Sequence, residues 1–434
     1  MFELLTVVCL IVVLVLMGLP VAFAFAIGDV ILIWWLGLDL NFSLAMSFKL
    51  LQGFSLLALP LFIFAGILME KGGAGKRLLD FVNSIVGRVT GGLGAALVVS
   101  NGIFGAISGS SSAAIGTLGT IGVPYLKKSN YREGYIVALI AASGILALLI
   151  PPSIDMIIFG VASRLSIAKL FLCTLMPGIM LMLAFIGINY VECRKNPPSA
   201  AIPNGDDIKK NTQTIAGSFR RGFVILLMPV FILGSIYSGI ATPTEAAGIA
   251  VVYTFIVVCG VYRSLNLKGL GRAFIDACSL TGSIALLFFT LFILSQIMII
   301  QQIPGKLAAT LLTLTTNKYA LLALLNIIML FMGMLMDDVS GLLLAAIVLL
   351  PVAKQFGIDP YHFGAITGVN LGLGLLTPPV APMLYLAARV AGSPPPNVFI
   401  KPALTFMLAG YLPVLLITMY LPQITLFLPN LLYH

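Results

Sequence analysis

The chain has 434 residues, 60% of them hydrophobic and 9% charged, with a formal net charge of +9 and a mean hydropathy of +1.11. Soluble domains carry about 25% charged residues, so this composition excludes a separate soluble domain and describes an all-α polytopic membrane protein. No basic stripe is interleaved with aromatics, so no nucleic-acid partner is expected. The positive charge sits in short loops, where it sets orientation and meets membrane lipids.

In chain order, a first span is expected near 2–18; the opening Met1-Phe2-Glu3 lacks the basic region of a signal peptide, so this span reads as retained. A span near 21–36 ends in Trp34-Trp35, which read as interfacial anchors. An amphipathic surface segment near 39–53 and a span near 54–69 follow. The apolar stretch 91–124 carries Ser108-Gly109-Ser110-Ser111-Ser112 halfway along. A helix needs about 20 residues to cross a bilayer; this stretch is too long for one crossing and too short for two. A re-entrant hairpin satisfies both limits. Next come a span near 134–162 interrupted at Pro151-Pro152, and another near 167–190.

A polar linker near 191–221 separates this series from a second one. Spans near 222–240, 245–262 and 273–302 lead to a second hairpin, 319–351, with Met336-Asp337-Asp338-Val339-Ser340 at its tip. A span near 362–388 is interrupted at Pro378-Pro379, and a last span lies near 401–422. The series correspond at an offset of 227 residues: Pro124 falls on Pro351, Lys127 on Lys354, Pro151-Pro152 on Pro378-Pro379 and Met156 on Met383. Paired broken segments at matching positions of two halves point to a transporter's binding site. Lys and Arg follow the third span and hairpin one, fill the linker and mark the loop at Arg263, Lys268 and Arg272, whereas hairpin two is flanked only by Lys306, Lys318 and Lys354. Hairpin one therefore enters from the cytoplasm and hairpin two from outside. With five crossings per half, the repeats are inverted and both termini fall outside.

The tips and breaks carry the chemistry. Serine hydroxyls and freed carbonyls are hard oxygen ligands, and half-helices ending at mid-depth aim N–H groups at an anion and C-terminal carbonyls at a sodium ion. Asp337 and Asp338 align with Ser110 and Ser111, and an intramembrane carboxylate is expensive enough to suggest a function. Each Pro-Pro pair deletes two backbone donors, freeing carbonyls near Leu146 and Ala147 and near Leu373 and Gly374; Ser153 and Thr377 stand ready to complete each shell. Ser143 aligns with Asn370 on the upstream arms. Small-residue packing, helix capping and plain proline kinks are the structural alternatives at these positions. Asp155 either faces the cavity or caps a half-helix. Glu245 reads as a helix-start charge; Asp29 and Asp276 lie near span ends, within reach of water. Arg164, Lys169, Arg389 and Lys401 read as loop charges. The five cysteines and two histidines lack metal-ligand spacing, so neither a disulfide framework nor a transition-metal site is expected.

Leu59-Pro60-Leu61-Phe62, Gly91-Gly92-Leu93, Ser108-Gly109-Ser110, Ile150-Pro151-Pro152-Ser153, Met336-Asp337 and Thr377-Pro378-Pro379 together resemble the large membrane subunit of tripartite ATP-independent periplasmic (TRAP) transporters, DctM-like and within the ion transporter superfamily. The resemblance covers nearly the whole chain. It implies a multi-pass bacterial or archaeal inner-membrane importer driven by sodium. A small four-helix membrane subunit and a soluble periplasmic substrate-binding protein would be its partners, and an organic acid such as a C4-dicarboxylate or sialic acid its substrate. Two departures stand out: Asp155 where similar proteins often have proline, and three serines in a row at the first tip.

The expectation is thus an inverted-repeat, elevator-type carrier, not an enzyme. Scaffold would comprise 1–89 and 222–302, and transport domain 90–190 and 303–434. Sodium would bind Ser108, Gly109, Ser110, Ala147 and Ser153 in one half and Asp337, Gly374 and Thr377 in the other. Substrate would bind Ser111, Ser112, Ser143, Asp338 and Asn370, with Na+ the coupling ion and no organic cofactor. The rivals are a self-sufficient proton- or sodium-coupled carboxylate carrier and an intramembrane aspartyl protease. The protease is disfavoured because adjacent aspartates on a helix point about 100° apart.

Overall fold

The computed structural model describes residues 2–87, 89–197, 215–314 and 317–433, and every regular element among them is helical. The first half opens with α1 (Phe2–Leu16), α2 (Val21–Trp35) and the short α3 (Leu40–Leu51), which Asp39 caps by accepting from Asn41 N at 2.9 Å. A 3₁₀ turn at Phe54–Leu57 leads into α4 (Ala58–Lys71), then α5 (Ala74–Val86). Hairpin one is α6 (Gly92–Ser108) and α7 (Ser111–Lys128). The first broken span is α8 (Glu133–Gly144) with a 3₁₀ turn at Ile145–Leu148, then α9 (Ile154–Ser163). The long α10 (Ile167–Lys195) closes the half.

The second half runs through α11 (Ile215–Tyr237), α12 (Pro243–Phe255), α13 (Leu267–Ile300) and α14 (Ile303–Leu314). Hairpin two is α15 (Lys318–Leu335) and α16 (Asp338–Leu344), continued by a π turn at Ala345–Leu349 and α17 (Leu350–Gln355). Then come α18 (Pro360–Leu376), α19 (Pro382–Ala391), α20 (Pro396–Phe406), a π turn at Met407–Tyr411, α21 (Leu412–Tyr420) and α22 (Pro422–Leu432). The 227-residue offset carries one half onto the other almost helix for helix. Moved by it, α7 falls on 338–355, the full length of the second arm of hairpin two, and α6 falls within a residue of α15. Residues 133–148 land on α18, α9 on α19, and α5 on α14. One difference is informative: α3 and α4, separated at Gly53, correspond to the single 34-residue α13.

Seven helical segments are long and apolar enough to cross a membrane among the described residues, and both arms of hairpin two, at 18 residues each, are among them. The hairpins are longer than expected from sequence. Pro124 lies inside α7 and Pro351 in the first turn of α17, so neither ends its arm. At Pro351 the preceding π turn reroutes the backbone hydrogen bonds, the kind of adjustment that lets membrane helices carry proline. The central linker is also shorter: α10 continues through Arg194 and Lys195, cations that suit a helix C-terminus. Residues 198–214, including Lys209 and Lys210, lie outside the described residues. Helices α5, α14 and α22 were not expected as separate elements. The strongly amphipathic α5 is too short and too polar on one face to register as a span.

Several polar expectations gain a physical setting. Glu245 closes a capping box with Thr242, its carboxylate accepting from Thr242 N at 2.8 Å. Asp276 pairs with Lys71 and links α13 to α4. Trp34 and Trp35 are exposed at the end of α2, as interfacial anchors require. Asp29 corrects its expectation: it is buried within α2 and has no access to water. All five cysteines are free.

Candidate functional site

Both tips are built by the same device. Gly109 sits at φ 65°, a left-handed turn that glycine adopts without penalty. Ser110 then caps α7, its Oγ accepting from Ala113 N at 3.4 Å and lying 3.0 Å from Ser112 Oγ. In hairpin two, Asp337 caps α16 by accepting from Ser340 N at 3.4 Å and from the Ser340 hydroxyl. The offset carries Ser110 onto Asp337 and Ala113 onto Ser340, so both the cap and its donor are pseudo-equivalent. Ser108 Oγ reaches the Ser110 carbonyl at 3.5 Å.

Each break is packed against the first arm of its own hairpin at backbone distance. A Cβ added to Gly105 would lie 2.5 Å from Ala147 Cα, and one on Gly374 2.7 Å from Gly333 Cα. A Cβ on Gly109 would lie 2.6 Å from Ile154 Cγ1, which places the first tip on the start of α9. The tip also abuts α4, where a Cβ on Gly66 would come within 2.7 Å of the Ser108 carbonyl. Both Pro-Pro peptide bonds are cis.

The prolines leave carbonyls without their helical donors. In break one, Leu149 N and Ile150 N both donate to Leu146 O at 3.0 Å, and Ser153 Oγ donates to Leu148 O at 2.9 Å. Pro151 has no N–H to give Ala147 O. Of the two carbonyls expected to be free, Ala147 fits and Leu146 does not. In break two, Thr377 N donates to Gly374 O and Thr377 Oγ1 to Leu373 O, both at 2.8 Å. The carbonyl that loses its donor there is Leu375, opposite Pro379, one residue beyond Gly374. Ser153 and Thr377 thus repair their breaks and retain lone pairs on the same oxygens.

Ser143 and Asn370 tie the broken helices to the hairpins. Asn101 Nδ2 donates to Ser143 Oγ at 2.7 Å; Asn370 Nδ2 donates to Asn326 Oδ1 at 2.7 Å and to Asn326 O at 2.9 Å. All four residues are buried, yet Asn101 Oδ1 and Asn370 Oδ1 have no hydrogen-bond partner among the described residues. Buried polar atoms are almost always paired, so these two oxygens, one per half, are candidate acceptors for a ligand. Together with the Ala147 and Leu375 carbonyls they are the hard oxygen donors that suit a sodium ion. Asn101, Asn326, Gly105 and Gly333 escaped sequence reasoning. A signal existed for the asparagines, since each is an isolated amide within an apolar hairpin arm.

Among the many contacts between the halves, α9 packs against α16. Asp155 lies buried in the first turn of α9. Ser111 is fully buried, and its hydroxyl neighbours the Asp338 carboxyl. Ser112 is exposed beside it. Gly109, just before α7, lies against Ile154 at the start of α9, and helix starts of this kind offer N–H dipoles to an anion. Among the described residues no cluster of His, Cys, Asp and Glu has metal-site geometry.

The family profile described as tripartite ATP-independent periplasmic transporter, DctM component, matches residues 8–424. The chain is 34% identical over 415 residues to the sialic acid TRAP transporter large permease protein SiaM of Vibrio cholerae, covering 95% of each. It is 34% identical over 390 residues to the C4-dicarboxylate TRAP transporter large permease protein DctM of Pseudomonas aeruginosa, covering 89% of each. With the isethionate TRAP transporter permease protein DctMQ of Oleidesulfovibrio alaskensis it shares 32% identity over 413 residues; the match covers 94% of this chain and 64% of that longer protein. The crystal structure of the Alcanivorax borkumensis YdaH transporter, described as having an unusual topology, has the same fold. It superposes with a TM-score of 0.60 at 16% identity, over 87% of this chain and 86% of that one. The chain belongs to the TRAP transporter family and is a DctM-type large permease.

Proposed function

We propose that the chain is the permease of a sodium-coupled importer of an organic acid in a bacterial inner membrane. It would work with a small membrane subunit and a periplasmic substrate-binding protein. The observation that carries sodium coupling is the pair of orphaned oxygens, Asn101 Oδ1 and Asn370 Oδ1, each beside a break that strips a carbonyl of its donor. One ion belongs with Asn101, Ser108, Gly109, Ser110, Ala147 and Ser153, the other with Asp337, Asn370, Leu375 and Thr377. Cargo lies between the tips, against Ser111, Ser112 and Asp338. Ser143 acts on it through the hairpin arm it holds. Sodium binding preorganises both tips, so ion and cargo raise each other's affinity.

The hairpins and broken helices move together as an elevator against a scaffold drawn from 1–89 and 222–302. The Gly66–Ser108 and Thr117–Glu70 contacts, the latter at 3.0 Å, lie on the sliding surface. The test is uptake into vesicles holding the chain and its small subunit, with the binding protein outside. An inward sodium gradient should drive accumulation and a potassium gradient should not. Sodium-independent uptake, or uptake by the chain alone, would favour the self-sufficient carrier.

A further inference from the structure

The polar end of α10 carries a cavity that neither the ion sites nor the cargo site uses. It holds about 300 Å³ between the end of α10 and the start of α8, walled by Tyr131, Arg132, Tyr135, Glu192, Lys195 and Asn196. Arg132 Nη2 donates to Asn196 Oδ1 at 2.6 Å, and Asn196 Nδ2 donates to Glu192 Oε1 at 2.8 Å. Arg132 Nη1 stands 3.8 Å from the same carboxylate oxygen. Glu192, the only acid in the described wall, is thus held by Asn196 and Arg132. Lys195 takes part in no ion pair among the described residues and brings the wall a second cation. Two cations against one carboxylate leave a positive surplus, which suits an anion.

The outer face of the same helix says which anion. Helix α10 is long and apolar enough to cross a bilayer, so Lys195 at its end lies at the lipid–water boundary. Ile179, Leu183, Gly187, Val191 and Lys195, each four residues after the last, are all exposed, and residues at that spacing form one ridge of a helix. The ridge is apolar up to Lys195, and a Cβ added to Gly187 would meet nothing within 4 Å. From Ile179 to Val191 it rises about 18 Å, enough to line the roughly 15 Å of hydrocarbon in one leaflet. Basic pockets between membrane helices take anionic headgroups, whereas a soluble anion would use the cavity and leave the ridge idle. We propose that the cavity binds an anionic phospholipid, its phosphate against Arg132 and Lys195 and one acyl chain along Leu183, Gly187 and Val191. The site shares its wall with a clamp on hairpin one. Asn189 Nδ2 donates to Gly91 O at 2.7 Å, Tyr135 OH to Asn189 Oδ1 at 3.3 Å, and Cys193 Sγ to Tyr131 OH at 3.4 Å. A seated lipid stiffens that clamp, so its occupancy reads out as thermal stability.

The test is thermal unfolding of the purified full chain in neutral detergent, titrated with phosphatidylglycerol, phosphatidylcholine or soluble glycerol 3-phosphate. Phosphatidylglycerol should half-saturate at about tenfold lower concentration than phosphatidylcholine, and glycerol 3-phosphate should do little over the same range. Lys195→Gln should weaken the phosphatidylglycerol response about fivefold, the scale of one basic residue at a membrane surface. Adding Arg132→Gln should bring the two lipids within about twofold. Should that double variant fail to fold, Lys195→Gln alone decides, because Lys195 has no ion pair to lose. Lys268→Gln with Arg272→Gln, two exposed cations of another loop, should leave the preference unchanged. Equal response to both lipids would overturn the proposal, as would a preference that survives Lys195→Gln. Glycerol 3-phosphate acting as well as phosphatidylglycerol would make the ligand a soluble anion. An equal loss in the Lys268 and Arg272 variant would reduce the effect to general surface charge.

Discussion

The first break is sealed inside the protein, with Pro151, Pro152, Ser153 and Asp155 all buried, whereas at the second Pro379 and Val380 are exposed and Thr377 and Pro378 are half-buried. Both are made alike, by a hairpin arm pressed on a broken helix and a capped second arm, and they differ in side-chain chemistry. A serine cap in one half is an aspartate in the other; an Asn–Ser tie in one is an Asn–Asn tie in the other. Backbone geometry therefore carries the symmetry, and side chains carry the asymmetry of access and charge.

The largest effects should come where the symmetric geometry itself is broken. Gly374→Val would drive a side chain into the Gly333 backbone and Gly105→Val into Ala147; each should cost about 3 kcal/mol or abolish monodisperse protein, as size-exclusion chromatography would show. Tolerance of one but not the other would mean that the halves are not packed alike. Next in size is the Asn tie. Asn326→Leu removes the side-chain acceptor of Asn370 and should lower stability by about 1–3 kcal/mol, read from thermal unfolding. Asn101→Leu should cost less, because the Ser143 hydroxyl still donates to Leu139 O at 2.6 Å. The caps follow, at about 1 kcal/mol each, with Asp337→Ala exceeding Ser110→Ala because Asp337 holds both the N–H and the hydroxyl of Ser340. The smallest is Thr117→Val, outside both junctions, expected below about 1 kcal/mol; a larger loss there would shift weight from the breaks to the α4 contact.

Much of this was legible in the sequence because each device leaves a mark. Pro-Pro pairs, a Gly-Ser tip and an Asp-Asp tip at one offset located both breaks, and placed both tips to within a few residues. Periodicity says less about where carbonyls end up. Gly374 yields to Leu375 because Thr377 N turns back on Gly374, a local choice of turn that spacing does not encode. Close backbone approach at Gly105 and Gly333 was equally invisible, since glycine is common throughout this chain, at 43 of 434 residues. Asp29 was misread because sequence position near a span end says nothing of which neighbours cover it. The sequence leaves Asp155 open between two roles, and only the structure shows it buried in the first turn of α9.

The most direct measurement is the thermal stability of the purified chain in sodium, potassium and choline chloride at matched ionic strength, for the native protein and for Ser110→Ala, Thr377→Ala and the double variant. Two ion sites at matching junctions predict a saturable, sodium-specific stabilisation, weakened by either substitution and nearly lost in the double variant. A sodium response unchanged in all three variants, or none that persists when the small subunit is present, would contradict the assignment of sodium to the tips and breaks.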